Sequence, residues 1–375
     1  MTDREIAELK RTFKPERATA SELYGCYVNA NGDIISTYRQ SLGLLGDEEC
    51  ESYFSLFKKT LSGAQNRNLY SVPFATAEVE KGEKHGLLMK LRSTNLSDEE
   101  ARGELYRKIT SSYKSEENYV ILAISCHYDV VKKDRNNEGG ESAFTHSFIV
   151  VTVCPVKSTK TALAYDADDK KFKAFPAAHA INAPEVGFTF PAFDNRETNI
   201  YNALFFTKNT AETYHDLTEN LFNFTIAMAA KTQKDVFDTV LAEALDDDCS
   251  FRVMRAVHQT VSDKIDAHKE AKIPEPLLMG KAEVKDILEE VGIPEEKLEK
   301  FTEKFAENFG ANTELSPKNL VNPKKFELKT ANVKVSVEHG YENLVETKII
   351  NGKPYIVISA EGGVELNGID VKITD

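Results

Sequence analysis

Two long apolar runs, Tyr119–Val131 and Phe144–Val156, dominate the hydrophobic pattern of the chain. Both the odd- and the even-numbered positions of each run are apolar, and many of the residues are β-branched. Successive side chains of a strand point to opposite faces of a sheet, so this pattern is typical of strands covered on both sides. We therefore predict two paired central strands, joined by the polar, glycine-containing segment 132–142.

Shorter patterns on either side of this pair predict the rest of a sheet domain. Asn31-Gly32 lies between apolar segments and predicts a hairpin, because both residues accept positive φ. Ser97 and Glu100 form a capping-box motif at a helix start, and Pro191 places its strand at a sheet edge or bulge. Further strands are predicted at 87–91, 162–165, 171–175, 187–193 and 203–206, and helices at 3–13, 47–61, 97–113 and 209–221. Residues 1–225 are thus predicted to form a mostly antiparallel α+β sheet domain.

Helical periodicity replaces the sheet pattern after this point. Helices are predicted at 232–245, 250–268, 281–291 and 294–309, which gives a helical segment over residues 226–312 and a linker at 317–323. Residues 324–375 alternate between apolar and polar positions around Asn351-Gly352 and Asn367-Gly368, which predicts a small all-β unit of four strands. Because so small a unit buries little surface, we expect it to dock on another domain or to pair with a copy of itself.

Composition and charge narrow the class of protein. A chain of 375 residues exceeds the size of one hydrophobic core, so more than one domain is expected. No apolar run approaches the roughly 20 residues of a membrane helix, and the first ten residues carry no signal segment, so we expect a cytoplasmic protein without membrane contact. The net charge of −13 opposes broad capture of a phosphate backbone, although it leaves room for a local basic site.

The cysteines and histidines predict neither a disulfide framework nor a metal centre. The five cysteines are widely spaced and form no C-x-x-C pair. Each is most simply a small buried hydrophobic residue, and no complete set of metal ligands occurs at a recognisable spacing. We therefore expect no metal and no cofactor.

One strand face carries the residue types of a hydrolase. Ser125, His127 and Asp129 occupy alternate positions of the first central strand, so their side chains share one face. Neighbours on that face are roughly 6–7 Å apart, whereas a catalytic triad needs contacts near 3 Å. A metal site that adds His146 from the second strand is an alternative, but it lacks a further ligand. Ordinary polar residues at a strand end are the preferred interpretation.

A second candidate lies between two aromatic strands, in the polar loop from Asp194 to Asn199. Here Arg196, with Asp194, Asn195 and Asn199 beside it, offers a group that can bind a carboxylate, a phosphate or a peptide edge. The alternative is structural, with Arg196 pairing to Asp194 or Glu197 and fastening the turn. This loop is the best binding-site candidate in the sequence.

Several short motifs are distributed over nearly the whole chain and resemble one known family. They are Gly25-Cys-Tyr-Val28, Lys59-Thr-Leu-Ser-Gly63, Cys154-Pro-Val156, Gly187 to Asp194, Thr207-Lys-Asn209 and Leu344-Val-Glu-Thr347. They resemble the bacterial family known as domain of unknown function 4317, which implies a bacterial intracellular protein and brings no established activity. The order of a sheet domain, a helical segment and a β tail is also similar to that of 37-kilodalton nucleoid-associated proteins, in architecture alone.

These observations favour a non-enzymatic binding or assembly protein over an enzyme. A protein partner or self-association is expected, and association with the nucleoid or another nucleoprotein is the specific hypothesis. One alternative is a hydrolase-type or metal-dependent enzyme that uses the Ser125, His127 and Asp129 face. Another is a phage- or defence-related module that interacts with proteins.

Overall fold

The two long apolar runs form neighbouring antiparallel strands, as predicted, at the centre of an α+β fold. The computed structural model describes residues 1–14, 20–133, 139–159, 161–166, 169–175, 179–273, 275–366 and 368–372. It divides into two compact units. The first comprises residues 1–232 and a short piece around Pro276, and the second comprises residues 233–273 and 277–375.

The first unit combines an antiparallel sheet with helices. Its helices are α1 (Asp3–Lys10), α2 (Asp47–Thr60), α3 (Thr76–Lys81), α4 (Glu83–Ser93), α5 (Glu99–Ser112) and α6 (His215–Phe222). Its strands are β1 (Glu22–Val28), β2 (Ile34–Ser41), β3 (Leu69–Pro73), β4 (Tyr119–Lys133), β5 (Gly139–Ser158), β6 (Ala162–Asp166), β7 (Lys171–Phe175), β8 (His179–Ile181), β9 (Val186–Phe190), β10 (Ala192–Asp194), β11 (Glu197–Asn199) and β12 (Asn202–Thr207). The main sheet has the order β2-β1-β4-β5-β9-β12-β3, and β8 also pairs with β5.

Helices cover the central strands on both faces. Ile121 and Ala123 of β4 lie in a hydrophobic cluster with residues of α4, α5 and α6. The intervening Leu122 and Ile124 lie in a second cluster with residues of α1 and α2. This arrangement is the physical reason for the apolar pattern at both odd and even positions.

The second unit combines a helical core with three hairpins. The helices are α7 (Ala230–Leu245), which begins at the end of the first unit, α8 (Phe251–Glu270), α9 (Lys281–Glu290), α10 (Glu295–Phe309) and α11 (Pro317–Leu320). The strands are β13 (Lys325–Lys329), β14 (Lys334–Glu338), β15 (Val345–Ile350), β16 (Lys353–Ile358), β17 (Val364–Leu366) and β18 (Ile369–Val371). As predicted, α9 ends just before Gly292, whose φ is +87°, and α10 begins directly after Pro294.

Several sequence predictions about single elements were wrong. The segment 87–91 belongs to helix α4, because Leu87, Leu88 and Leu91 are buried together on one helical face. A short apolar run does not distinguish a strand from a buried helix. The segment 317–323 contains the short helix α11, whose Leu320 is buried in the helical core, so it is not an open linker.

The strand that leads to Pro191 is an interior strand, not an edge. β9 lies between β5 and β12, and it ends at Phe190, so Pro191 falls between β9 and β10 where no ladder hydrogen bond is required. Helix α5 begins at Glu99 with Asp98 as its N-cap, one residue later than the predicted Ser97. Helix α6 begins at His215, later than predicted.

The C-terminal β segment also differs from the prediction in its strand pairing. A single four-stranded unit was expected, but the described residues form three separate two-stranded hairpins, β13–β14, β15–β16 and β17–β18. Residues 134–138 of the predicted central connection and Asn367 of the last turn lie outside the described part of the chain.

A carboxylate in the middle of the main sheet is expected to unfold the first unit. Val151 of β5 is fully buried between Ala123 and Phe188 on the neighbouring strands. Val151→Asp should lower the free energy of unfolding by about 4 kcal/mol or more, because the carboxylate would be buried without a cation or a hydrogen-bond donor. Ile35→Asp on the exposed side of β2 is the control, and should change it by less than about 1 kcal/mol. Equal losses in chemical denaturation would contradict the prediction.

Candidate functional site

The predicted loop from Asp194 to Asn199 forms a tight hairpin between β10 and β11. Asn195 and Arg196 occupy its turn with φ values of +52° and +58°. Two consecutive left-handed residues suit the twist of a two-residue hairpin, and asparagine accepts this conformation readily, whereas arginine adopts it less often. The Arg196 amide, held in this conformation, donates a 3.0 Å hydrogen bond to Glu5 Oε1 of helix α1.

The Arg196 side chain joins the same loop to α1. Its Nη1 lies 2.6 Å and 2.5 Å from the two carboxylate oxygens of Glu8. The Glu8 side chain is only 10% exposed, and Tyr128 donates a 3.3 Å hydrogen bond to it from β4. Glu5 and Glu8 of α1 are therefore partners of Arg196, whereas the structural alternative in the sequence had placed its partner at Asp194 or Glu197.

The other polar residues of the loop are also engaged. Asp194 Oδ2 accepts a 2.8 Å hydrogen bond from Asn199 Nδ2, and Asp194 Oδ1 lies 2.5 Å from the amine of Met1. Asn199 Oδ1 in turn accepts a bond from the Tyr201 amide. Asn195 and Glu197 are the exposed residues of the loop. The loop is therefore held by α1 and the amine of Met1, while its turn is open to solvent.

The Ser125, His127 and Asp129 side chains lie on one face of β4, but each bonds to a different neighbour. The Ser125 hydroxyl donates to Asn95 Oδ1 at 3.0 Å. His127 Nδ1 lies 2.9 Å from the Ser147 hydroxyl, and Asp129 accepts a 2.6 Å bond from Thr145. The bonds of His127 and Asp129 join β4 to β5 and stabilise that pairing, whereas the bond of Ser125 joins β4 to the turn after α4.

His146 lies on the opposite face of the sheet from His127. It is fully buried between the rings of Phe148 and Phe193, and its Nδ1 is 2.8 Å from the Thr198 hydroxyl. Burial lowers the pKa of His146 to about 3, so its imidazole is neutral. The structure thus does not bring His127, Asp129 and His146 together, and no group of three metal-ligating side chains suited to an ion occurs among the residues it describes.

A third surface, on the last two hairpins, received no residue assignment from the sequence. The register of β15–β16 places one set of apolar side chains on a single face, and β17–β18 does the same. We call these the apolar faces of the two hairpins; they consist of Thr347, Ile349, Pro354, Ile356 and Ile358, and of Val364, Leu366, Ile369 and Val371. Exposure reaches 78% at Ile349 and 68% at Ile369, which is unusual for clustered aliphatic side chains. The alternation of apolar residues around each Asn-Gly turn was the sequence signal for this surface.

The hairpins are anchored to helix α8 near their beginning. The Phe326 ring of β13 lies 5.8 Å from that of Phe251 and 5.2 Å from that of His258. Val345, at the start of β15, is buried as well. Burial therefore decreases along this segment, from Phe326 and Val345 to the exposed faces that follow.

An ionic cluster around His339 strengthens this anchor. Its Nδ1 lies 2.8 Å from Glu342, and its Nε2 lies 3.4 Å from Asp263 and 3.6 Å from Asp266, both on α8. The hydrogen bond to Glu342, together with the charges of all three carboxylates, raises the pKa of His339 above its ordinary value of 6.5. When it is protonated, the imidazole forms ion pairs that link the loop after β14 to α8.

Comparison with known proteins identifies the family of this chain. A family model described as "Domain of unknown function (DUF4317)" matches residues 1–369. The chain belongs to this family, which confirms the resemblance carried by its short motifs. A search of curated proteins finds no match. No helix within the described ranges is long and apolar enough to cross a bilayer.

Removal of the Arg196 side chain is expected to destabilise the first unit. Arg196→Ala leaves the nearly buried Glu8 with only the long 4.0 Å ion pair to the exposed Arg4, and should reduce the free energy of unfolding by about 1–3 kcal/mol. Arg39→Ala is a matched control, because the Arg39–Glu22 pair is much more exposed and solvent screening should make its contribution clearly smaller. Chemical denaturation measures both. The interpretation is wrong if both variants lose equally little, or if adding Glu8→Gln to Arg196→Ala recovers no stability.

The His339 cluster predicts a pH-dependent stability of the second unit. A raised histidine pKa contributes stability that is complete below about pH 6.5 and is lost as the pH rises through the pKa of the folded state. The melting temperature of the wild type should therefore fall relative to that of His339→Gln between about pH 6 and pH 9. Scanning calorimetry at several pH values measures this difference. Parallel pH profiles of the two proteins would contradict the prediction.

Proposed function

We propose that this chain is a non-enzymatic binding or assembly protein, and that the apolar faces of its last two hairpins form the contact surface. The observation that carries the proposal is that each of these two hairpins exposes several aliphatic side chains on one face, with Ile349 and Ile369 the most exposed of each. Exposed apolar patches of this kind typically mark interaction sites, because leaving them in water costs free energy that a partner recovers.

The polar candidates of the first unit support this choice over an enzyme. A hydrolase triad requires Ser–His and His–Asp contacts near 3 Å. The hydroxyl of Ser125 is directed to Asn95, while Asp129 bonds to Thr145. Arg196 stabilises the contact between its hairpin and α1. A binding role for the exposed tip at Asn195 stays a prediction, which the Arg196 variant does not address.

The chemistry of the surface favours a protein partner or self-association over nucleic acid. An apolar face gains free energy by burial against another apolar surface, whereas phosphate binding requires clustered cations. The net charge of −13 adds long-range repulsion from a polyanion. If the chain associates with the nucleoid of a bacterial cytoplasm, we therefore propose that it contacts the proteins of the nucleoid and not its DNA.

The proposal is tested by site-specific photo-crosslinking of the full chain in a bacterial lysate. A photoreactive residue at position 349 should give a discrete adduct that mass spectrometry identifies, and one at position 365, on the polar face of β17–β18, should not. Adding Ile356→Thr, which keeps a β-branched residue on the apolar face, should weaken adduct formation roughly fivefold.

Ile350→Thr is the matched control, because it is the same chemical change on the opposite face of the same hairpin. It should leave the adduct unchanged. Indistinguishable adducts from positions 349 and 365, or equal effects of the two threonine variants, would show that the apolar face is not the contact surface.

A further inference from the structure

We propose that the partner of the apolar surface is a second copy of this chain, joined by antiparallel pairing of β15 with β15 of that copy. The proposal rests on the proposed function and specifies its partner. It depends on three properties of β15–β16: the direction of the backbone groups, the position of a proline, and the order of two charges.

The outer edge of β15 carries backbone groups directed away from β16. In an antiparallel pair, alternate residues direct both their N–H and C=O groups to the partner strand. The 2.8 Å bond from the Ser359 amide to the Leu344 carbonyl sets this alternation, so residues 346, 348 and 350 face β16. The amides and carbonyls of Thr347 and Ile349 then face outward. The outward Val345 carbonyl accepts a 3.4 Å bond from Arg255, which agrees with this phase.

A proline distinguishes the two edges of the hairpin. Pro354 lies in β16 opposite Ile349, at a position that faces outward, and it has no N–H to offer to an additional strand. Such a proline is a common means of protecting an edge from pairing. β15 contains no proline, and among the described residues its one strand neighbour is β16. The edge of β15 is therefore the one suited to strand addition.

The charges of β15 specify a register. When two copies of β15 pair antiparallel about Thr347, Glu346 of each copy lies directly opposite Lys348 of the other. Centring the pair on residue 346 would place two glutamates opposite each other, and centring it on residue 348 would place two lysines there. Opposite charges across a strand pair stabilise it and like charges destabilise it. The register about Thr347 also places the outward-facing amide and carbonyl of Thr347 in the two copies opposite each other, so charge and hydrogen bonding agree at the centre of the pair.

This pairing brings apolar side chains together as well. Ile349, the most exposed of them, comes to lie on the same face as Val345 of the second copy, which is already buried within its own chain, so Ile349 gains an apolar neighbour at the edge of that residue. The product is a two-fold symmetric four-stranded sheet, β16-β15-β15-β16, with one continuous apolar face. A sheet of this size is more stable than an isolated two-stranded hairpin, which is only marginally stable in water.

Charge reversal provides a test in which the variants rescue each other. Glu346→Lys places lysine opposite lysine in the homodimer, and Lys348→Glu places glutamate opposite glutamate. Each single variant should therefore dimerise roughly 5- to 20-fold more weakly than the wild type. A mixture of the two single variants restores opposite charges at both positions and should form a mixed dimer. The double variant Glu346→Lys, Lys348→Glu should dimerise as the wild type does.

The measurement is sedimentation equilibrium of the full chain, with the two single variants labelled with different dyes for the mixture. Glu365→Lys, an equivalent charge reversal on the polar face of the next hairpin, is the control and should leave dimerisation unchanged. Circular dichroism melts check that every variant is folded. A wild type that is monomeric at about 100 μM, a concentration about a thousandfold above the dissociation constant of a tight homodimer, would overturn the proposal. A mixture of the two single variants that associates no more strongly than either variant alone would also overturn it.

These failures are distinguishable from failure of the proposed function. If the chain is monomeric but position 349 crosslinks to a different protein, the surface binds another partner and the β15 pairing is wrong. If position 349 gives no discrete adduct in the lysate and the chain is monomeric, both proposals are wrong.

Discussion

The structure of the first unit depends on the burial of β4 and β5 on both faces. A strand whose odd and even positions are both apolar is stable only when layers cover it from two sides, because an uncovered face would expose its apolar side chains to water. Helices α4, α5 and α6 provide one layer, and α1 and α2 provide the other. The remaining strands extend the sheet from this pair, and the polar ends of β4 and β5 bond across it through His127 and Asp129.

The contact between α1 and the β10–β11 hairpin completes one of these layers. Helix α1 has eight residues, too few for a stable helix in isolation, so it depends on packing. Ile6 and Leu9 supply that packing, and the carboxylates of Glu5 and Glu8 bind the backbone and side chain of Arg196. The loop from Asp194 to Asn199, which the sequence predicted as a binding site, thus also holds α1 against the sheet.

The second unit differs from the first because its helices are buried in a core while its last two hairpins are largely exposed. Helices α7 to α10 share one apolar core, and the first hairpin is anchored to α8 through Phe326 and the His339 cluster. The hairpins β15–β16 and β17–β18 each expose an apolar face, although an isolated two-stranded hairpin is barely stable in water. The proposed association would bury such surfaces, and opposite charges at Glu346 and Lys348 favour the proposed register.

The sequence by itself determined the features that obey local rules. Apolar residues at both odd and even positions predicted the β4–β5 pair, because the side chains of a strand point alternately to the two faces of a sheet. Asn31-Gly32 and Asn351-Gly352 predicted hairpins, and Gly292 with Pro294 predicted the break between α9 and α10, because these signals depend on local backbone conformation. Tertiary structure decided what local rules leave open. Leu87 to Leu91 became helical because that face meets the sheet, and Pro191 lies between strands. Arg196 forms its ion pair with Glu8, which is 188 residues away in the chain, because the fold brings this carboxylate next to the guanidinium.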